Sequence, residues 1–392
     1  MSDMRLPQEV ASAAVQVWPV LTAVAFAASA AISLALTPVA ERLGRHLGMM
    51  DAPTLPRKLH ANPTPRSGGL AVAMAFYGTL ALGLVGGGLV LPIIPGVGNL
   101  VEQGASRLLG NLPEVMAPVA AILLGGLCLF VLGAADDRRP LPPRFKLFVQ
   151  IAVAVGLWLA GVDARLGLPP ALGLAVTVVW VITICNAINF LDNMNGLSSG
   201  VVMLVAMAFM WQSWTSGEWL MMATWATLAG STAGFWWWNF RTGTPFLGDG
   251  GALFLGFMLA ALALRATWYQ PGIPSALPAL TPIILLGVPI FDTATVMFIR
   301  LREGRPLMVG DRCHLSHRLV ALGFSHRNAV VFHYVLCGAL ALLAWPLRFL
   351  PPGPALSLVG AVALLFVLIF LLEQTAASLR AEAPAPPPPP AV

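Results

Sequence analysis

Eleven stretches of this chain are long and apolar enough to lie in hydrocarbon, and nothing between them is large enough to form a soluble domain. Spanning a bilayer core takes about 20 consecutive apolar residues, with a range of roughly 17 to 25. The stretches run near 15–40, 68–91, 116–135, 145–161, 171–188, 198–214, 218–238, 250–268, 279–299, 328–346 and 354–372. Only 10% of the 392 residues are charged, against about 25% in a soluble domain. Lipid is therefore the solvent for most of the surface. Backbone polar groups in lipid must be paired inside the segment that carries them. The expected fold is all-α, a polytopic membrane protein of about 11 transmembrane helices. It forms one domain over 1–375 with a disordered Pro/Ala-rich tail over 376–392.

Positive charge orients the bundle. With the amino terminus external, alternate loops collect seventeen of the 22 Lys and Arg residues. They include Arg57, Lys58 and Arg66, then Arg138, Arg139, Arg144 and Lys146, then the arginines from Arg300 to Arg327. Cytoplasmic loops carry such an excess, so the carboxyl terminus is expected in the cytoplasm. Asp3, Arg5 and Glu9 precede the first apolar run, which reads as a retained span rather than a cleaved secretory signal. An amphipathic piece over 101–112 reads as a helix lying on the membrane surface. Four scattered cysteines give no disulfide framework, and no basic tract points to nucleic acid.

Ionisable residues near membrane depth are costly and default to functional hypotheses. Four groups qualify, all on the cytoplasmic side. Asp136 and Asp137 end the third span and are followed by Lys146. Adjacent carboxylates repel unless a cation or proton intervenes, so Mg²⁺ binding or proton abstraction would explain them, against a plain interfacial cap. Asn186, Asn189, Asp192 and Asn195 recur every third residue, which a continuing helical turn would cluster on one face. Such a face suits hydroxyls, phosphate or a hydrated metal; a polar turn is the bland alternative. Phe246 to Gly251 opens the eighth span. There Asp249 can cap the helix, and glycines let a ligand approach bare backbone N–H groups. An ordinary N-cap is the competing reading. The loop from Arg300 to Arg327 carries His314, His317 and Arg318, a cationic cradle for phosphates. Zinc on Cys313, His314 and His317 is disfavoured, since adjacent ligands fit one tetrahedral site poorly. Asp292, inside the ninth span, is expected to pair with a basic residue.

Together these groups describe a metal-dependent phosphoryl-type transfer at the bilayer surface, with a lipid as one reactant. The same residues resemble the polyprenyl-phosphate N-acetylhexosamine-1-phosphate transferases over most of the chain. The resemblance rests on five ordered blocks. Arg57-Lys58-Leu59-His60 with Pro63 to Gly69 is similar to the first cytoplasmic loop of the branch that transfers N-acetylglucosamine-1-phosphate. The others are Asp136-Asp137 through Lys146 and Gln150, Asn186 to Gly196, Phe246 to Gly256, and Asp311 to Arg318.

The resemblance implies attack by undecaprenyl phosphate on the β-phosphate of a UDP-sugar, releasing UMP, at the bacterial inner membrane. Such a step opens the synthesis of cell-envelope polysaccharides, lipopolysaccharide among them. It implies Mg²⁺, with Mn²⁺ as a substitute, held by Asp249 and Asp192. Asp136 would deprotonate or position the lipid phosphate, with Asp137 and Lys146 supporting charge there. Asn186, Asn189 and Arg66 would contact the nucleotide sugar, and Asp192 would also act in the transfer. Phe246 would stack on uracil, while His314, His317 and Arg318 would bind diphosphate and sugar. A homodimer is left open.

Two departures stand out. The family loop usually reads His-x-His-His, whereas Ser316 holds the third place, and Asn193 replaces a usual glycine. A histidine restored at 316 is expected to leave activity intact or raise it. The rival readings are the transferase that uses UDP-N-acetylmuramoyl-pentapeptide and, from another class, a secondary transporter. The carboxylates cluster at one face and no inverted repeat is evident, which weighs against the transporter.

Overall fold

The computed structural model describes residues 8–52, 63–90, 112–164, 167–268, 274–306 and 313–382. Arg57, Lys58, His60, Asp311, Arg312, most of the amphipathic piece 101–112 and residues 383–392 lie outside them. The described chain is helical almost throughout. Its first eight helices are α1 (Gln8–His46), α2 (Gly68–Val90), α3 (Leu112–Arg138), α4 (Pro143–Leu159), α5 (Pro170–Leu191), α6 (Leu197–Thr215), α7 (Trp219–Thr242) and α8 (Gly248–Arg265). A 3₁₀ turn (Leu277–Leu280) leads into α9 (Thr281–Leu285) and α10 (Gly287–Arg302). The last three are α11 (Leu315–Ala321), α12 (His326–Ala344) and α13 (Pro352–Glu382). The exception to the all-α expectation is a two-residue antiparallel pair, β1 (Met50–Asp51) with β2 (Thr64–Pro65).

Each of the eleven apolar stretches is helical. Among the described residues eight helices are long and apolar enough to cross a membrane, or nine if the bent pair Leu277–Leu285 and Gly287–Arg302 is one span. The other two are α4, with only 17 residues, and α7, whose apolar character is diluted by Thr, Ser, Gly and Asn. The pair is bent by 70°. Pro289 has no N–H to give the carbonyl of Leu285, which weakens the ladder at that break. Helix α13 runs on to Glu382, past the boundary expected at 375.

Helix α8 is the axis of the bundle. Gly250 through Leu264 are all buried, and the helix packs against α2, α3 and α5. Close approach requires small residues on α3. A Cβ at Gly133 would lie 2.4 Å from the carbonyl of Asp249, so this glycine lets the two helix ends cross. Outside that core, α1 lies along α7, and α6 bridges α7 and α12.

Successive helices alternate in direction, which gathers particular ends. The carboxyl ends of α1, α3, α5 and α7 and the amino ends of α2, α4, α6, α8 and α12 meet at one end of the bundle. All four polar groups singled out in the sequence have residues there.

Candidate active site

A cleft of about 1360 Å³ opens at that end. Of the twelve residues proposed from sequence, nine line it: Arg66, Lys146, Asn186, Asn189, Asp192, Phe246, Asp249, His314 and His317. Asp136, Asp137 and Arg318 do not, and each has a different reason.

Asp136 works through a lysine. Lys146 Nζ donates to Asp136 Oδ2 and to Asp249 Oδ2, both at 3.0 Å, and so joins the third span to the eighth. The other oxygen of Asp136 accepts the Leu141 N–H at 2.7 Å, fixing the turn between α3 and α4. A cation held between two carboxylates offsets their mutual repulsion.

Asp137 is a helix cap borrowed from another helix. Its oxygens accept the backbone N–H groups of Asp249 at 3.0 Å and Gly250 at 2.9 Å. Leu247, at the N-cap of α8, offers no side-chain cap of its own, so Asp137 satisfies the donors that a helix start leaves open. This corrects two expectations: Asp249 does not cap α8, and the N–H groups of Asp249 and Gly250 are not bare. Asp249 is thereby free to face the cleft. Gly248 makes the junction possible with φ of +76°, and a Cβ there would sit 2.6 Å from Arg66 O and from Asp137 Oδ2.

The helix expected to continue through the Asn block stops at Leu191, yet the block still gathers on the cleft. Asn186 and Asn189 lie on the last turns of α5, Asp192 caps that helix, and Asn195 follows in the turn; all four reach the cleft. Asn186 Nδ2 donates to Gln150 Oε1 and to the Ile182 carbonyl, both at 2.8 Å. The Asn189 side chain hydrogen-bonds Asp249. Burial and the charge of Asp249 push Asp192 up to about 7, with Arg66 and the Gly248 N–H pulling the other way.

His314 is held by Asp292, which finds in it the basic partner expected. Asp292 Oδ2 faces His314 Nδ1 at 2.8 Å, and Oδ1 accepts the Leu315 N–H at 2.6 Å. His314 and His317 present rings 6.4 Å apart. Arg318 turns the opposite way and donates to Thr295 Oγ1 at 3.0 Å. Its expected contact with diphosphate is not what this geometry offers.

Several residues of the site carry no signal in sequence. Asp51 pairs with Arg66 across the β1–β2 pair, and Arg66 Nη1 also lies 3.9 Å from Asp137. Asn239 accepts the Gly196 N–H at 2.6 Å and donates to the Pro245 carbonyl at 2.8 Å, tying the end of α7 to two cleft loops. Arg327 stacks over Phe240 at 5.1 Å and adds positive charge to the far wall, which His326 also lines. Only Arg327 and His326 could have been suspected, from their place in the basic loop.

No group of three or more His, Cys, Asp or Glu is placed to hold a metal among the described residues. Mg²⁺ does not require one, since it is usually bound by one or two carboxylates plus substrate phosphates. Asp192 and Asp249 fit that mode. Both line the cleft, and the charge of one resists ionisation of the other, a cost that a divalent cation removes.

These features match a known protein family. Residues 119–267 match the model of glycosyl transferase family 4. The chain is 30% identical over 322 residues to the probable undecaprenyl-phosphate N-acetylglucosaminyl 1-phosphate transferase of Bacillus subtilis (strain 168), covering 80% of this chain and 81% of that protein. It is 29% identical over 364 residues to the decaprenyl-phosphate N-acetylglucosaminephosphotransferase of Mycobacterium tuberculosis (strain ATCC 25618 / H37Rv), 85% of this chain and 84% of that one. The undecaprenyl-phosphate alpha-N-acetylglucosaminyl 1-phosphate transferase of Escherichia coli (strain K12) is 26% identical over 270 residues, 64% of this chain and 71% of that one. The chain belongs to glycosyl transferase family 4, a polytopic membrane enzyme by its fold and its relatives.

Proposed function

We propose that this protein transfers N-acetylglucosamine-1-phosphate from its UDP derivative to undecaprenyl phosphate and releases UMP. The relatives' names support the polyprenyl phosphate and the sugar. The observation that carries the reading is the Lys146 bridge between Asp136 and Asp249. It stands in one cleft with the Asn block and two histidines, at the end of an apolar bundle. Pockets for single small ligands run to about 1,000 Å³, so this larger cleft suits a nucleotide sugar together with a lipid headgroup.

In the reaction, an oxygen of the lipid phosphate attacks the β-phosphorus of the nucleotide sugar. The bond from that phosphorus to the bridging oxygen breaks, and the oxygen leaves with UMP carrying the negative charge. Lys146 offers its cation to the approaching phosphate, and Asp136 keeps that cation charged and placed. His314, oriented by Asp292, and His317 donate to phosphate and sugar oxygens. Phe246 supplies an aromatic face for the base. Mg²⁺, with Mn²⁺ as substitute, would be held by Asp249 and Asp192 and would draw charge from the diphosphate oxygens.

The membrane placement is part of the proposal: eleven crossings, an external amino terminus and a cleft facing the cytoplasm. The alternation of helix ends and the seventeen basic residues on the expected cytoplasmic side support it.

Purified protein given labelled UDP-N-acetylglucosamine, undecaprenyl phosphate and Mg²⁺ tests the reaction. Lipid-linked label and UMP in equal amounts are expected. Label that enters sealed vesicles without UMP release would replace the enzyme with a transporter.

A further inference from the structure

Between Pro352 and Thr375 the last helix carries one ionisable residue, Glu373. A carboxylate in an apolar span is costly and calls for a role. Glu373 is only 6% exposed, while its neighbours Leu371 and Leu372 are more than half exposed. Over that stretch the helix thus turns its one charge inward and leucines such as Leu371 and Leu372 outward.

The partner is Arg318. Glu373 Oε2 lies 3.3 Å from Arg318 Nη2, and that same nitrogen donates to Thr295 Oγ1. Among the described residues, Nε and Nη1 of Arg318 and both oxygens of Glu373 have no hydrogen-bond partner, so opposite charge is the main hold between them. Thr295 stands one turn beyond Asp292, the residue that fixes His314 and the Leu315 N–H. Helix α11 is therefore fastened at its start by Asp292 and in its second turn by Arg318. It has seven residues, too few to be stable alone, and depends on such anchors. His317 and Arg318 are neighbours on it, one facing the cleft and the other the bundle.

We propose that Glu373 is a positioning residue: it holds Arg318, and through it the short helix that presents His314 and His317 to the nucleotide sugar. The inference rests on the nucleotide-sugar reading of the cleft. It also makes the last helix, which contributes no lining residue among those described, a working part of the site. Removing one member of a buried ion pair leaves the other charge uncompensated, whereas replacing both by apolar groups does not.

The test compares wild type, E373A, E373Q, R318M and the double variant R318M/E373L in nanodiscs. It measures KM for each substrate, and UDP-N-acetylglucosamine affinity by calorimetry. E373A should raise the KM for the nucleotide sugar about tenfold or more, because the Arg318 charge is left uncompensated, with the KM for undecaprenyl phosphate unchanged. E373Q keeps the shape without the charge and should behave like E373A. R318M/E373L should be no worse than R318M alone. Wild-type kinetics in E373A, wild-type behaviour of E373Q, equal shifts for both substrates, or losses that multiply in the double variant would each overturn the proposal. An inactive wild type sinks the proposed reaction only, and calorimetry still decides Glu373. Tenfold weaker nucleotide-sugar binding in E373A supports the role; equal binding overturns it.

Discussion

Ser316 Oγ donates a 2.6 Å hydrogen bond to Asn193 Oδ1, so two of the positions at which this chain departs from the pattern it resembles touch each other. Asn193 in turn donates from Nδ2 to the Phe190 carbonyl at 2.8 Å. The bond ties the helix of the histidines to the Asn block across 123 residues of sequence. Ser316 is 1% exposed, so a histidine there has to displace Asn193. This revises the expectation that Ser316→His would be harmless. Alone it should lower kcat/KM for the nucleotide sugar by tenfold or more, as overpacking costs about 1–3 kcal/mol. Combined with Asn193→Gly, which clears the space, most of the loss should return. Steady-state UMP release on the single and double variants checks this, and failure of the second change to help would show that the pair is not a unit.

Asp249 is the carboxylate that Asp137 frees to face the cleft, and in the proposed reaction it would hold the divalent cation. Asp249→Asn should reduce turnover by at least a hundredfold, in the range of losing one preorganised electrostatic group. The residual rate should respond little to Mg²⁺. A variant that keeps near-normal rates and Mg²⁺ dependence removes Asp249 from that role.

Asp137 and Asp249 should separate in their effects on stability. Loss of a helix cap costs about 0.5–2 kcal/mol, and Asp137 caps the central helix. Asp137→Ala should lower the thermal midpoint, followed by tryptophan fluorescence in detergent, whereas Asp249→Ala should leave it unchanged or higher. Equal midpoints would mean that the α8 start is held by something other than this cap.

Asp192 titrates near neutrality because burial and Asp249 both oppose its charge. Only the ionised carboxylate binds a cation, so affinity should rise with pH through about 7 and level off above it. A group half-ionised there predicts an Mg²⁺ half-saturation about tenfold higher at pH 6 than at pH 8. Asp192→Asn should flatten that dependence. A steep profile that survives the change assigns the titration elsewhere.

The bundle was legible because lipid allows few alternatives: each apolar stretch became a helix, and the basic loops marked one end. The block 186–196 was legible because its polar residues recur at every third position, although the helix that carries the first two stops at Leu191. Directions were not. His317 and Arg318 are adjacent and similarly charged, yet about 100° of helical rotation sends one to the cleft and the other to Glu373. Likewise nothing in Asp136-Asp137 says that one carboxylate meets Lys146 and the next caps another helix. Asp51 and Asn239 act through partners distant in sequence, and isolated polar residues carry no pattern that reveals such partners.

The cleft takes its walls from Arg45 at one extreme of the sequence and Val330 at the other. A ribosome adding about 5–20 residues per second separates those walls by tens of seconds. During that interval the early carboxylates are already in the membrane while the histidine helix and its anchors have yet to be made. Nascent chains therefore carry no working centre until the histidine helix and its anchors have been made.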